Sequence, residues 1–173
     1  MEIEALFSLF KRPFTVKYPF EPSPPPEGFR GRTEFTDECV GCGACAAVCP
    51  PKAISIADDG GTRVMRIDHG LCIFCRSCQD ICPWEGIVLT TKFELATLDR
   101  TESYDEVEHD LVLCEDCGNV ITTRKHMEEI RKKIEAVGLL DKDKAAIEEL
   151  CPSCKRQHFA REIHETMALA GPF

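Results

Sequence analysis

Residues 39–50 read Cys39-Val-Gly-Cys42-Gly-Ala-Cys45-Ala-Ala-Val-Cys49-Pro50, and residues 72–83 read Cys72-Ile-Phe-Cys75-Arg-Ser-Cys78-Gln-Asp-Ile-Cys82-Pro83. Both follow C-x2-C-x2-C-x3-C-P, and the second run repeats the first 33 residues later. Cysteine makes up 12 of the 173 residues, which is several times ordinary usage. An even count permits a disulfide scaffold, but the spacing is too regular for one. The N-terminal Met1–Phe14 stretch also lacks the features of a secretory signal: it starts acidic, Glu4 and Ser8 interrupt its apolar run, and no small-residue cleavage site follows. The expected setting is therefore a reducing cytoplasm, where clustered cysteines are metal ligands.

Zinc prefers four ligands in two separated pairs, whereas each run here carries four cysteines in succession. That spacing is the bacterial-ferredoxin pattern for two 4Fe–4S clusters, in which the fourth cysteine of each run serves the other cluster. Cys39, Cys42, Cys45 and Cys82 are accordingly assigned to one cluster, and Cys72, Cys75, Cys78 and Cys49 to the other. Gly41, Gly43 and Ala44 let the first loop bend close to the inorganic sulfides and turn backbone N–H groups toward them. Pro50 and Pro83 turn the chain after each crossing ligand. Crossed ligands bring two clusters close together, as electron hopping requires.

The other four cysteines form two C-x2-C pairs, Cys114-Glu-Asp-Cys117 and Cys151-Pro-Ser-Cys154. Four thiolates in two pairs suit a tetrahedral Zn2+ or a single iron. Spacing alone does not separate a zinc ribbon from a rubredoxin-like site, and a third 4Fe–4S cluster is the remaining alternative. A closed four-thiolate site has no open position for substrate. The five histidines, His69, His109, His126, His158 and His164, show no ligand spacing and are expected mostly on the surface. No catalytic triad, phosphate loop or dinucleotide fingerprint is present, so no catalytic centre of its own is expected in the chain.

The formal charge is −9. Two clusters and a four-thiolate ion would bring the loaded protein to roughly −15. Phosphate binding needs a basic surface, so no nucleic-acid partner is expected. No apolar run approaches the length of a transmembrane helix.

The expected fold class is α+β, in four segments. Residues 1–32 hold a short amphipathic stretch (Ile3, Leu6, Phe7, Phe10) and a docking arm with prolines 13, 19, 22, 24, 25 and 26 and interleaved aromatics Phe14, Tyr18, Phe20 and Phe29. Residues 33–92 form the two-cluster domain, with strands at Ala53–Ile56, Arg63–Ile67 and Gly86–Thr90 and helical turns at Ala46–Val48 and Ser77–Ile81. Residues 93–113 read as an acidic connector closing with a strand at Leu111–Leu113. Residues 114–173 form the four-cysteine module. There Thr122 or Thr123 caps a helix to Val137 whose buried face is Met127, Ile130, Ile134 and Val137, and Gly138 stops it. Asp141 caps a helix over Lys142–Leu150, and a last helix spans about Lys155–Ala170 with Phe159, Ile163 and Met167 on one face.

Gly28-Phe-Arg-Gly31, the two cysteine runs and Lys92-Phe-Glu-Leu-Ala96 resemble the two-cluster ferredoxin subunit of respiratory complex I and its relatives in membrane-bound nickel–iron hydrogenases. Cys72-Ile-Phe-Cys75 together with Cys151-Pro-Ser-Cys-Lys-Arg-Gln157 resembles the formate hydrogenlyase ferredoxin subunit (hydrogenase-4 component H type). The resemblance covers most of residues 15–160. It implies a non-catalytic iron–sulfur electron-transfer subunit relaying electrons from an external donor protein to the small subunit of a nickel–iron hydrogenase. Its partners would be the small, large and membrane-arm subunits of a membrane-bound complex that would pump ions through other subunits. It would be membrane-associated through them, on the cytoplasmic side. The equivalent subunit of a complex I-like dehydrogenase and a ferredoxin subunit of a soluble oxidoreductase are the alternatives.

Overall fold

Gly60 and Gly61 both have positive φ, +56° and +93°, and close a tight hairpin between β2 (Ile54–Asp59) and β3 (Thr62–Asp68). The computed structural model describes residues 7, 8, 10, 11, 15–138 and 149–170, the last helix with side chains to residue 164. In the β2–β3 hairpin Ile54 faces Ile67 and Ile56 faces Met65. Alternation along β3 sends Met65 and Ile67 inward and Arg66 outward.

The sheet does not end at this hairpin. The acidic stretch expected as a connector contains a short 3-10 turn, Arg100–Ser103, and a ten-residue strand, β5 (Tyr104–Leu113). This strand starts at Tyr104, well before the expected Leu111. It pairs antiparallel with β3, placing Val107 opposite Met65 and Glu106 opposite Arg66. Charge hid it: Glu106, Glu108 and Asp110 occupy its outward positions, and of the alternate inward residues Val107 and His109 are only half-buried. β6 (Val120–Thr123) adds the fourth strand, giving the order β2-β3-β5-β6. A second, two-stranded sheet joins β1 (Thr33–Phe35) to β4 (Ile87–Leu89), Phe35 opposite Ile87. β1 was not anticipated, being only three residues long.

The short helices α1 (Ala44–Val48) and α2 (Ser77–Ile81) carry the third cysteine of each run, Cys45 and Cys78. Met65, Ile67, Ile54, Ile87 and Ala53 form one core with Cys39, Cys45 and Cys49, so the cysteines are built into the apolar centre. A second, smaller core gathers Cys114, Cys151, Cys154 and Leu150, with Ile121 against it.

α3 (Arg124–Ala136) begins where Thr123 accepts a hydrogen bond from the His126 amide, and Gly138 ends it with φ of +73°. Its expected buried face is only partly covered: Met127 is half-buried, Ile130 and Ile134 are each 36 % exposed and Val137 70 %. The helix meets the first cluster region through Lys125 in its first turn and Lys133 further along. α4 (Pro152–Ala170) opens on a proline, with Phe159 and Ile163 exposed. The expected helix over Lys142–Leu150 falls almost wholly outside the described residues, as do Ile3, Leu6 and Phe14; Phe7 and Phe10 are exposed. No helix among the described residues is long and apolar enough to cross a membrane.

Candidate iron–sulfur and metal sites

Two cavities lie side by side in the larger core. One, of about 290 Å³ including its mouth, is lined by Cys39, Cys42, Cys45 and Cys82. The other, of about 350 Å³, is lined by Cys49, Cys72, Cys75 and Cys78. Each cavity thus collects three cysteines from one run and the fourth from the other. Their walls are apolar: Met65, Ile87 and Phe35 around the first, Ile54 and Ile67 around the second.

The two loops repeat in backbone as well as in sequence. Gly41 and Gly43 have φ of +70° and +81°, and Phe74 and Arg76, each 33 residues on, have +52° and +76°. Lys52 and Glu85 form a third such pair at +56° and +55°. Left-handed backbone at these positions lets three cysteines converge on one centre, whatever side chain sits there. In the second loop the conformation is kept without glycine, at a cost of about 1–2 kcal/mol per residue.

The donors to sulfur repeat too. Ala53 N–H meets Cys49 Sγ at 3.3 Å, and Gly86 N–H meets Cys82 Sγ at 3.2 Å. Phe74 N–H faces Cys72 Sγ at 3.4 Å, as Gly41 N–H faces Cys39. Backbone amides aimed at sulfur are what a thiolate-bound cluster needs to offset its negative charge. Gly86 leaves space for this arrangement, because a Cβ there would lie 2.5 Å from Cys39 Cα. Burial pushes the Cys45 thiol up to about 12 and the Cys78 thiol up to about 11. These equivalent positions therefore need a bound cation to hold them as thiolates. Cys75 is the opposite case, lowered by the Ser77 hydroxyl 3.4 Å away. The donor set, the apolar walls and the inward amides fit a 4Fe–4S group in each cavity.

The third cysteine group is tighter. The Sγ atoms of Cys114, Cys117, Cys151 and Cys154 all lie within 4.8 Å of one another, Cys117 and Cys151 at 3.6 Å. Metal–sulfur bonds of ~2.3 Å in a tetrahedron imply sulfur edges near ~3.8 Å, so the group fits one ion. A cubane places four irons between its thiolates and needs a wider frame. Cys151 N–H donates to Cys114 Sγ at 3.2 Å and pulls that thiol down to about 6. Gly118, at φ +69°, closes the first knuckle with its N–H on the Cys114 carbonyl at 2.9 Å.

The contacts missed from sequence lie between this module and the first cavity. Thr123, fully buried, donates its hydroxyl to the Val40 carbonyl, and Lys125 Nζ reaches the Asp37 carbonyl. Arg63, forked onto Asp58, donates its remaining Nη1 to the Gly41 carbonyl at 3.0 Å. His109 packs on Gly41, where burial lowers its basicity; among the described residues its buried Nε2 has no partner. Lys133 Nζ sits 3.5 Å over the ring of Trp84, two residues past Cys82. The histidines are not mostly on the surface: only His158 and His164 are exposed, and His109 and His126 are half-buried. His69 is buried, with Nδ1 and Nε2 each 2.8 Å from the carbonyls of Ser103 and Thr33 respectively. No spacing signal marks His69 or His109.

Residues 38–87 match the 4Fe-4S dicluster domain family. The chain is 36 % identical over 106 residues to NAD(P)H-quinone oxidoreductase subunit I of Gloeobacter violaceus, covering 56 % of this chain and 51 % of that one. It is 33 % identical over 105 residues to NADH-quinone oxidoreductase subunit I 2 of Geobacter metallireducens, covering 54 % of this chain and 80 % of that one. The chain thus spans about half the length of the first relative and most of the second. A solved structure of the membrane-bound sulfane sulfur reductase, an archaeal respiratory membrane complex, aligns at 31 % identity and a TM-score of 0.44, covering 58 % of this chain and 56 % of that one. The dicluster match makes this an iron–sulfur protein of electron transport, and with the alignment covering four-fifths of the Geobacter relative at 33 % identity the chain belongs to the NADH-quinone oxidoreductase subunit I family.

Proposed function

We propose that the chain is the electron-relay subunit of a membrane-associated, multi-subunit oxidoreductase, with one 4Fe–4S cluster in each cavity. Cys39, Cys42, Cys45 and Cys82 hold one cluster; Cys72, Cys75, Cys78 and Cys49 hold the other. The observation that carries this reading is the exchange of Cys49 and Cys82 between cavities, which keeps the two centres adjacent. When bound, the clusters supply one-electron transfer. The chain's own residues exclude water with Met65, Ile67, Ile54 and Ile87 and aim amides at the sulfurs. The Cys114, Cys117, Cys151 and Cys154 group holds Zn2+ or a mononuclear iron as a zinc-ribbon or rubredoxin-like staple.

The names of the relatives support a complex I-like quinone oxidoreductase as the host assembly. A second host is favoured by one feature, the C-terminal four-cysteine group. Its resemblance to the formate hydrogenlyase subunit suggests a nickel–iron hydrogenase. In that setting an external donor protein passes electrons through this chain to the hydrogenase small subunit. Either way the chain sits on the cytoplasmic side, held to the membrane by partner subunits.

Anaerobic purification from native membranes tests the reading. Expected are co-purifying membrane and soluble subunits, acid-labile sulfide, and about eight irons with one zinc or about nine irons without it. Nickel ligands in a co-purifying large subunit select the hydrogenase. A soluble monomer, or protein without labile sulfide, would sink the proposal.

A further inference from the structure

The first cluster loop is held from outside by a residue of the C-terminal half. Thr123 lies at the end of β6, is fully buried, and donates its hydroxyl to the carbonyl oxygen of Val40. That carbonyl shares one peptide group with the N–H of Gly41, which faces the sulfur of Cys39. A trans peptide directs its C=O and N–H to opposite sides. The hydrogen bonds therefore form a chain: Thr123 O–H to Val40 C=O, then Gly41 N–H to Cys39 Sγ. A donor on the carbonyl polarises the same amide and strengthens its outgoing bond. Gly41 is clamped from the other side as well, since a Cβ there would lie 2.6 Å from the His109 ring and 2.8 Å from Thr123 Cγ2.

The second loop is set differently. Phe74 N–H makes the equivalent bond to Cys72 at 3.4 Å, but Ile73, the counterpart of Val40, is 61 % exposed. Val40 is 2 % exposed. Two loops of the same design thus differ in whether the carbonyl end of the sulfur-facing peptide is gripped in a dry contact.

We propose that Thr123 is a positioning residue for the first iron–sulfur cluster, raising its reduction potential above that of an otherwise equivalent site through the Val40–Gly41 peptide. Reduction adds negative charge to the sulfurs, so a stronger N–H···S bond favours the reduced form. The inference rests on the reading that Cys39, Cys42, Cys45 and Cys82 hold a cluster.

The test is a redox titration of the full-length, anaerobically prepared protein. Paramagnetically shifted cysteine β-proton resonances report each cluster separately. Thr123→Val, which keeps shape and loses the hydroxyl, is expected to lower the reduction equilibrium of the first cluster by up to about tenfold, or ~59 mV for one electron. The second cluster should not move. Thr123→Ser should restore the wild-type value. Should the valine variant not retain iron, Thr123→Ala is the second variant without the hydroxyl and should show the same one-cluster shift. A two-cluster wild type whose first potential ignores both substitutions, or whose two potentials move together, overturns this inference alone. A wild type with fewer than two clusters overturns the reading of the site beneath it.

Discussion

Gly86 lies against Cys39 with no room for a side chain: a methyl group at Gly86 would sit 2.5 Å from Cys39 Cα and 2.9 Å from its amide nitrogen. The obstructing atoms are backbone, which cannot swing aside. The same glycine donates its N–H to Cys82 Sγ at 3.2 Å. One residue therefore spaces the first and last cysteines of the first cavity. Gly86→Ala is expected to cost about 1–3 kcal/mol, as for overpacked sites, and to lower the iron content through the first cavity. Iron analysis and denaturant unfolding check this; unchanged iron and stability would contradict the packing argument.

Arg76 is the converse. It holds φ of +76° where its repeat partner is Gly43 at +81°. Relief of left-handed strain, ~1–2 kcal/mol, outweighs the ~0.4–1 kcal/mol that glycine adds to unfolded-chain entropy. The Arg76–Asp80 pair at 3.0 Å has side chains 50 % and 65 % exposed, so its loss weighs little. Arg76→Gly is expected to stabilise the folded protein by roughly 0.5–1 kcal/mol, read as a raised unfolding midpoint.

These two sites mark what was legible. The cysteine spacing pointed to a crossed assignment, and each cavity is lined by three cysteines of one run and one of the other. Glycine at 41 and 43 hinted at left-handed turns, but Phe74, Arg76, Lys52 and Glu85 adopt the same backbone with no compositional sign. β5 was hidden by Glu106, Glu108 and Asp110, whose charges suit an outward strand face as well as a loop. Thr123, His109 and Arg63 were invisible as site residues because their roles depend on contacts dozens of residues away. The helix face of Ile130, Ile134 and Val137 misled in the opposite sense, since periodicity reports amphipathicity and not what covers it.

Arg63 and Asp58 supply a pH signature. Asp58 accepts from Arg63 Nε at 2.8 Å and Nη2 at 2.7 Å, and this hydrogen bonding lowers its pKa below 3.8. A depressed carboxyl stabilises the fold above its unfolded pKa, and that contribution is lost as pH falls through the folded value. The contribution of this partly exposed pair, roughly 1 kcal/mol or less, should fade below about pH 4. Asp58→Asn should remove that acid dependence. It should also free the Arg63 fork from its anchor while Nη1 still reaches Gly41. Stability measured from pH 6 to 3 on both proteins gives the comparison; parallel curves would contradict the assignment.

Phe93 holds the N-terminal arm. Its ring lies 5.9 Å from Tyr18 and 6.3 Å, edge-on, from Phe29. The backbone joins in, with Gly31 N–H on the Thr90 carbonyl and Arg32 N–H on the Lys92 carbonyl, both at 2.8 Å. Phe93→Ala should remove two aromatic contacts worth about 0.5–1.5 kcal/mol each. Because the backbone bonds remain, the effect should appear as faster proteolysis around Tyr18–Phe20, with iron content unchanged. Iron loss would place Phe93 in the cluster framework instead.

Among the described residues the C-terminal module has only a small apolar core of its own. Its core consists of Cys114, Cys151, Cys154 and Leu150 with Ile121 alongside, too few apolar groups for a stable unit. The two knuckles meet through Cys151 N–H on Cys114 Sγ and Glu115 N–H on the Glu149 carbonyl. A bound ion would supply the missing cohesion, because its binding free energy is folding free energy. Cys117→Ser should therefore lose one metal ion, leave about eight irons in place, and make the chain beyond Cys114 sensitive to protease. Acid should act likewise. Cys114, held down to about 6 by its amide donor, is already a thiolate at neutral pH before any ion binds, and protons compete with the ion for the four sulfurs as the solution becomes acidic. Limited proteolysis with metal analysis of both proteins decides the matter. If the variant loses its ion but the C-terminal fragment stays as resistant as wild type, the site is not what holds this module together.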